Sequence, residues 1–174
     1  MDEIQLSGYE PGAIGRVTEL HGTYYAKHWD LGLYFEAKVA DELSAFLSRF
    51  DPTHDGAWIA KCKGKIIGSI FIDGIDAEGE GARLRWLIID PDYHGQGLGN
   101  RLMHEAISFA KRSGFKRVYL TTFSGLNAAR HLYETYGFRL YHEEDGSHLT
   151  GNASLIEQKF ELISSSDDTE VGAK

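Results

Sequence analysis

A glycine-rich segment at residues 94–99, with the sequence HGQGLG, constrains the fold of this chain more than any other feature. It follows a mostly apolar, strand-like run at residues 84–89 and precedes apolar residues that recur with helical spacing from Leu98. Glycine allows the backbone to adopt positive φ and to approach a ligand closely. The N–H groups of such a loop, at the positive end of the following helix, bind phosphate oxygens. The pattern therefore predicts a strand–loop–helix unit that binds a phosphate-bearing compound.

Two common phosphate-binding loops do not fit this segment. A dinucleotide-binding loop has an acidic residue about 20 residues further along the chain, but no Asp or Glu lies between Ala106 and Gly125. A P-loop ends in Gly-Lys followed by Ser or Thr, whereas this loop ends in Gly99, Asn100 and Arg101. A purely structural turn is the remaining alternative at this point.

Two sequence blocks together resemble the central motif of the GNAT superfamily, the acetyl-CoA-dependent N-acetyltransferases. The first is LIIDPDY at residues 87–93 followed by the glycine segment, and the second is ARHLYETYGF at residues 129–138. The sequences of residues 122–126 and 157–161 are also similar to those of the GNAT branch that is often fused to a MarR-type DNA-binding domain. In this chain we expect the GNAT domain to stand alone. The resemblance implies an acyltransferase, specifically an N-acetyltransferase, that uses acetyl-CoA as cosubstrate and no metal.

The hydrophobic pattern predicts the element order β-α-α-β-β-β-α-β-α-β-β, which is also the order of the GNAT fold. Strands are expected at about 3–7, 57–62, 66–72, 82–89, 118–122, 138–143 and 154–163, and helices at about 12–28, 33–49, 98–113 and 126–136. The resemblance implies an α/β (α+β) fold of three layers, with a mixed, mostly antiparallel sheet of about seven strands, a splayed parallel pair and about four helices. We expect a single domain over residues 1–163, followed by a disordered acidic tail at residues 164–174.

Composition and charge argue against several classes of protein. The formal net charge of −8 and the pI near 5.4 disfavour nucleic acid and anionic membranes as partners. The single cysteine, Cys62, excludes an intrachain disulfide and suits a reducing compartment. No apolar run is long enough for a transmembrane helix. These observations favour a cytoplasmic protein with no membrane or nucleic-acid partner, and the resemblance leaves a homodimer open.

By resemblance, the end of the central strand and the glycine loop bind acetyl-CoA. The exposed backbone of Leu87, Ile88 and Ile89 is expected to pair with the pantetheine arm, since unpaired strand groups need partners. The backbone N–H groups expected to bind the pyrophosphate are those of Gly95, Gln96, Gly97, Leu98, Gly99 and Asn100. Two positions depart from the family pattern. His94 stands where the family motif has Gln or Arg. Asn127 lies one residue after the position of the Asn that family members often carry. Asn127 is expected either to contact the cofactor or to begin a helix.

By resemblance, Tyr133 gives a proton to the thiolate of CoA. A phenol with an ordinary pKa of about 10 is protonated at neutral pH and can donate. A core tyrosine in an amphipathic helix is the alternative. The proton acceptor for the amine is not identified, because the position of the glutamate in histone-type relatives is Arg83 here. The candidate bases are Glu36, His21, His28 and His142.

Arg83 and Arg85 lie on one face of the predicted strand, because side chains alternate between the two faces. Arginine binds carboxylates and phosphates bidentately, so the pair predicts an acceptor with an acidic group. A solvent-exposed or salt-bridged pair is the alternative. The leading interpretation is a small-molecule N-acetyltransferase that acts on a primary amine, with Arg83, Arg85 and Glu36 as substrate residues. The alternatives are a protein lysine or N-terminal acetyltransferase and a non-catalytic module that senses acyl-CoA.

Overall fold

The computed structural model of the chain describes residues 3–164, so residues 165–174 of the expected tail lie outside the described part. The strands are β1 Gln5–Ser7, β2 Gly56–Cys62, β3 Lys65–Asp73, β4 Ala82–Ile89, β5 Arg117–Phe123, β6 Arg139–Asp145 and β7 Ile156–Ile163. The helices are α1 Ala13–Trp29, α2 Leu33–Ser48, α3 Leu98–Arg112, α4 Asn127–Thr135 and α5 Ser147–Thr150, with a short 3-10 helix at Pro91–Tyr93. The predicted order is confirmed. The structure adds α5, which has four residues and is too short to show a periodic pattern.

The seven strands form one sheet in the order β1-β2-β3-β4-β5-β7-β6, in which β4 and β5 are parallel and the other neighbours antiparallel. One core lies between the sheet and helices α3 and α4, and it includes Leu102 and Phe160. The other lies between the sheet and helices α1 and α2, and it includes Leu43 and Phe71. These two cores confirm the three-layer architecture. Over residues 3–164, no helix has the length and apolar character that crossing a lipid bilayer requires.

The parallel strands β4 and β5 separate soon after they begin. They pair at Ala82 with Val118 and at Arg83 with Tyr119, and no pairing continues beyond these positions. From Leu84 onward, β4 therefore keeps β3 as its neighbour but presents a free edge on the side of β5. Backbone N–H and C=O groups on a free edge need other partners. The expected splay is confirmed, and it opens a gap in the sheet.

A β-bulge at Trp86 lies on the edge of this gap. Trp86 has a φ of 48°, which is a rare conformation for a bulky residue, and the register between β3 and β4 shifts at this level. The Ser69 hydroxyl donates a hydrogen bond of 2.8 Å to the Trp86 carbonyl oxygen, and the indole packs against Phe46 and Phe71. Because Arg85 and Trp86 both contact residues of α2, the bulge places two consecutive side chains on the same face.

Candidate active site

Two cavities meet in the gap between β4 and β5. The outer cavity, of about 840 Å³, lies between the end of β4, the glycine loop, the first turn of α4 and the C-terminal half of α1. The inner cavity, of about 150 Å³, lies beneath α2 and between β4 and β5. Four residues line both cavities: Tyr25, Leu87, Leu126 and Ala129. The two cavities therefore adjoin at these residues.

The glycine loop presents a row of free backbone donors to the outer cavity. Gly95 and Gly97 have φ values of 71° and 78°, and Gly97 precedes α3 without a side-chain cap. Within residues 3–164, the N–H groups of residues 95–100 have no hydrogen-bond acceptor. A Cβ atom added at Gly95 or Gly97 would meet nothing within 4 Å, so the loop faces open space. Free N–H groups at the start of a 15-residue helix suit a pyrophosphate.

Side chains around the loop are turned away from this row of donors. The His94 ring Nε2 lies 2.9 Å from the Ile89 carbonyl oxygen, so His94 hydrogen-bonds back to β4. The Arg101 guanidinium donates to the Ile4 carbonyl oxygen over 3.1 Å, and the Gln96 amide donates to the Asp92 carbonyl oxygen over 3.2 Å. The loop therefore offers its backbone to an anion.

The residues expected to bind the cofactor line one cavity or the other, except Gln96, which lines neither. Those that line the outer cavity are Leu87, Ile88, Ile89, Gly95, Gly97, Leu98, Gly99, Asn100 and Asn127. Asn127 is also the first residue of α4, so both roles considered for it are compatible. Tyr133 lies in the wall of the inner cavity, six residues after Asn127 in α4.

Tyr133, the proton donor expected from the sequence, lies in the wall of the inner cavity. Its ring is buried and packs 6.2 Å from each of the rings of Phe138 and Phe160. Burial raises the pKa of Tyr133 to about 12. Within the described residues, the hydroxyl has no hydrogen-bond partner. The phenol therefore keeps its proton at neutral pH and is available to a ligand.

The two arginines of β4 both line the inner cavity, but their surroundings differ. Arg85 forms an ion pair with Glu42, lies 3.9 Å from Asp73 and stacks 4.0 Å from the Trp86 ring. Burial and the nearby Arg83 lower the pKa of Arg85 to about 10. The Arg83 guanidinium lies 6.0 Å from the Tyr119 ring, and its Nε is buried without a hydrogen-bond partner. Arg85 is therefore in a salt bridge, which was the alternative to a role in substrate binding. The Nε–H of Arg83, in contrast, has no acceptor among the described residues.

Of the four candidate bases named from the sequence, three are exposed and one is buried. Glu36 is exposed on α2, against Gly22 of α1, and lines neither cavity. His28 is exposed and packs on Tyr24, and His142 is exposed on β6. His21 is buried in the wall of the inner cavity.

His21 is a neutral imidazole in this environment. Its Nδ1 lies 2.8 Å from the Val17 carbonyl oxygen, which places the ring proton on Nδ1 as the donor. Burial lowers the pKa of His21 from 6.5 to about 4, against a smaller opposite effect of that hydrogen bond. A base that holds a proton so weakly is uncharged at neutral pH.

The lowered pKa of His21 predicts a loss of stability in mild acid. Below pH 6.5 the unfolded chain binds a proton at this residue while the folded chain resists it down to about pH 4. The free energy of unfolding should therefore fall by about 3 kcal/mol between these two pH values. Urea unfolding at several pH values measures the effect, and a His21→Phe variant should show a flatter profile. His28→Phe, at an exposed position, is the control and should follow the unaltered protein.

Several residues of the inner cavity were not predicted from the sequence. Tyr25 lines both cavities, but in the sequence it fits an ordinary packing position of α1. Lys38 and Glu42 form a 2.6 Å ion pair with i,i+4 spacing, which in sequence looks like a solvent-exposed helix pair. The bulge at Trp86 has no sequence signal. Long-range packing, which a local pattern does not report, brings these residues together.

Known proteins resemble this chain in sequence. The sequence model of the Acetyltransferase (GNAT) family matches residues 16–138. The uncharacterized N-acetyltransferase YjgM of Escherichia coli is 32% identical over 127 residues, which are 72% of this chain and 74% of that protein. N-acetylaspartate synthetase of Danio rerio is 29% identical over 110 residues, which are 63% of this chain. The chain spans only 39% of the length of that second relative.

A solved structure shows the same fold. YncA of Salmonella typhimurium, determined with its cofactor acetyl-CoA, superposes with a TM-score of 0.71 and 16% identity, covering 99% of this chain and 98% of that one. The free N–H groups of the loop, the free edge of β4 and the outer cavity fit such a ligand. The family match and the relatives show that the chain belongs to the Acetyltransferase (GNAT) family.

Proposed function

We propose that the protein transfers the acetyl group of acetyl-CoA to the primary amine of a small molecule that carries a carboxylate. The observation that supports this acceptor is the buried Nε–H of Arg83, which has no acceptor in the wall of the inner cavity. A buried donor without a partner costs about 1–3 kcal/mol. A carboxylate would satisfy the donor and match the guanidinium charge. The cavity of about 150 Å³ suits a small acceptor.

Groups in both cavities act on acetyl-CoA, which is the acetyl donor. Acetyl-CoA supplies the activated acetyl group. The N–H groups of residues 95–100 hold its pyrophosphate, and the free edge at residues 87–89 bonds to its amides. Leu87 lies at the junction, where a backbone N–H can stabilise charge on the thioester oxygen. Tyr133 holds the proton that the departing thiolate needs.

The name of one relative supports the same class of acceptor. N-acetylaspartate synthetase is named for acetylation of an amino acid whose side chain is a second carboxylate. Its match to this chain is partial, so the name supports an acidic acceptor without identifying aspartate itself. Arg83 offers this chain a recognition group for such an acid.

An amine panel with an Arg83→Met variant tests this proposal. The purified protein is supplied with acetyl-CoA and amino acids, polyamines or aminoglycosides, and free thiol is measured. We expect amino acids to be acetylated, and Arg83→Met to raise their KM by about tenfold to a hundredfold, because a charge-assisted hydrogen bond is lost. The KM for acetyl-CoA should stay the same. Arg112→Met, at an exposed position of α3, is the charge-matched control.

Two results would contradict the proposed acceptor. One is an unchanged KM in Arg83→Met for every amine that the unaltered protein accepts. The other is acetylation of proteins, seen by intact mass, without acetylation of any small amine. That second result would favour the protein acetyltransferase that the sequence leaves open.

A further inference from the structure

Tyr25 of α1 lies where the two cavities meet, and its position is fixed by its neighbours. It is one of the four residues that line both cavities. Its ring packs edge-to-face at 5.1 Å from the ring of Phe35 on α2 and at 5.6 Å from that of Phe123 at the end of β5. Contacts from two other elements therefore determine where the phenol of Tyr25 lies at the junction.

The Tyr25 hydroxyl is free and open to a cavity. It has no hydrogen-bond partner within residues 3–164. The side-chain atoms of these residues that lack a partner and are also sealed from solvent are Thr18 Oγ1, Arg83 Nε and Glu157 Oε2. The Tyr25 oxygen is not one of them, so it keeps accessible surface. Because burial raises the pKa of Tyr25, the hydroxyl lies deep in the protein, and this surface faces a cavity rather than the exterior.

Tyr25 and Tyr133 form a pair of neutral phenols near the junction. Ala129, which lines both cavities, precedes Tyr133 by four residues and shares its face of α4. Burial raises the pKa of Tyr25 most, and the Tyr133 and Tyr24 phenols raise it further, so Tyr25 and Tyr133 are within electrostatic reach of each other. Both phenols therefore keep their protons at neutral pH and are hydrogen-bond donors.

Acetyl transfer needs donors at two atoms of the thioester. The carbonyl oxygen gains negative charge when the amine adds to the acetyl carbon, and the sulfur gains it when the carbon–sulfur bond breaks. Pre-organised donors at the oxygen are a large part of such catalysis. In the proposed function Tyr133 serves the sulfur, and the Leu87 backbone on β4 serves the oxygen. Tyr25 brings a second donor to the same junction from α1.

We infer that the Tyr25 hydroxyl donates a hydrogen bond to the carbonyl oxygen of acetyl-CoA and stabilises the charge that develops there. The inference rests on the proposed function for the place of the thioester, but not for the identity of the acceptor. The amine nitrogen forms its bond to the acetyl carbon, and the carbonyl electron pair moves to oxygen and returns as the carbon–sulfur bond breaks. The thiolate takes the Tyr133 proton, and a proton from the nitrogen restores that phenol. Tyr25 keeps its own proton throughout.

A Tyr25→Phe variant removes the hydroxyl and keeps the ring. The probe is acetyl-CoA labelled isotopically at the acetyl carbonyl, and the infrared band of this carbonyl is measured in the bound state. A hydrogen bond weakens the carbonyl bond, so the band should move to higher frequency in the variant. The Kd for acetyl-CoA should rise by about threefold to tenfold, because one neutral hydrogen bond is lost. The Kd for CoA, which has no acetyl carbonyl, should stay within twofold.

The same variant should lose about a hundredfold to a thousandfold in kcat with the best amine of the panel, which is the usual effect of removing one oxyanion donor. The pH profile should keep its shape, because Tyr25 does not release its proton. The melting temperature should not fall, because the hydroxyl has no partner in the described residues. A merely structural role would not move the carbonyl band while the Kd for CoA and the melting temperature stay the same.

Tyr9→Phe is the control for the chemical change itself. Tyr9 is exposed and lines neither cavity, so this variant should leave the carbonyl band, both Kd values and kcat unchanged. Tyr25→Leu removes the ring as well as the hydroxyl. It should lower the melting temperature, because the packing against Phe35 and Phe123 is lost. The two variants of Tyr25 separate its hydroxyl from its packing.

The outcomes distinguish this inference from the proposed function. If the unaltered protein binds no acetyl-CoA, the donor side of the proposed function is wrong and this inference falls with it. If amines are acetylated but Tyr25→Phe leaves the carbonyl band unchanged, only the role of Tyr25 is overturned, whatever the value of kcat. A lower melting temperature in Tyr25→Phe would also overturn it, since the hydroxyl would then have a partner in the protein. A shifted band together with an unchanged KM in Arg83→Met would support Tyr25 and overturn the proposed acceptor.

Discussion

A Tyr133→Phe variant should lose about a hundredfold to ten-thousandfold in kcat, which is the usual contribution of a positioned proton donor. The phenol lies in the wall of the inner cavity, and burial raises its pKa to about 12. Without the hydroxyl, the departing thiolate must take its proton from water or leave as an anion. The KM for acetyl-CoA should change little, because the residue lies outside the cavity that holds the pyrophosphate loop.

Two controls accompany the Tyr133→Phe variant: its melting temperature, and a substitution of a neighbouring tyrosine. The Tyr133 hydroxyl has no hydrogen-bond partner within the described residues, so the substitution should not lower the melting temperature. Tyr136→Phe removes a 2.8 Å hydrogen bond to the Asn100 carbonyl oxygen and should cost about 1 kcal/mol of stability while leaving kcat within twofold. Single-turnover measurement of thiol release is the assay. Equal values of kcat in Tyr133→Phe and the unaltered protein would remove the residue from the chemistry.

A Gly97→Val variant should weaken acetyl-CoA binding by about a hundredfold or more, because at least one or two charge-assisted bonds to phosphate are lost. Gly97 has a φ of 78°, which a β-branched residue adopts only with strain of about 1–2 kcal/mol. The added side chain would also enter the open space that the free N–H groups face. Calorimetric titration with CoA measures the binding.

The Gly114→Val variant is the control that distinguishes loss of the phosphate-binding loop from strain in the backbone. Gly114 follows α3 at its other end, has a φ of 71° and would also have open space around an added Cβ. Both variants should lose similar stability, but Gly114→Val should bind CoA normally. If both bind normally, the loop is a structural turn, which is the alternative that the sequence leaves open.

The donor side of the site could be predicted from sequence because its parts are continuous in the chain. Residues 87–100 form one strand end, one turn and one helix start, so a short motif determines their geometry. The inner cavity is assembled from α1, α2, β4, β5, α4 and α5, which tertiary packing brings together. Arg83 and Arg85 both line the inner cavity, but so do Leu84, Trp86 and Leu87, so alternation along β4 does not account for their position. The ion pair of Arg85 depends on Glu42, 43 residues away, and no local pattern indicates it.

The Trp86 bulge shows a second limit of sequence analysis. Alternation predicts that Trp86 faces away from Arg85, but its positive φ turns the indole to the side of α2. Nothing in the residue type favours this conformation. The packing of Phe46 and Phe71 and the hydrogen bond from Ser69 determine it, and all three come from distant parts of the chain.

Because β4 and β5 pair at only two positions, the gap between them begins at a fixed point. Arg83 occupies the last position at which the two strands pair, and the later residues of β4 are not paired with β5. An acceptor held by Arg83 would have its acid anchored at the narrow, rigid end. Its amine would then extend toward the wide end, where the strands admit the thioester. The acceptor and the thioester would then lie along the direction in which β4 and β5 separate.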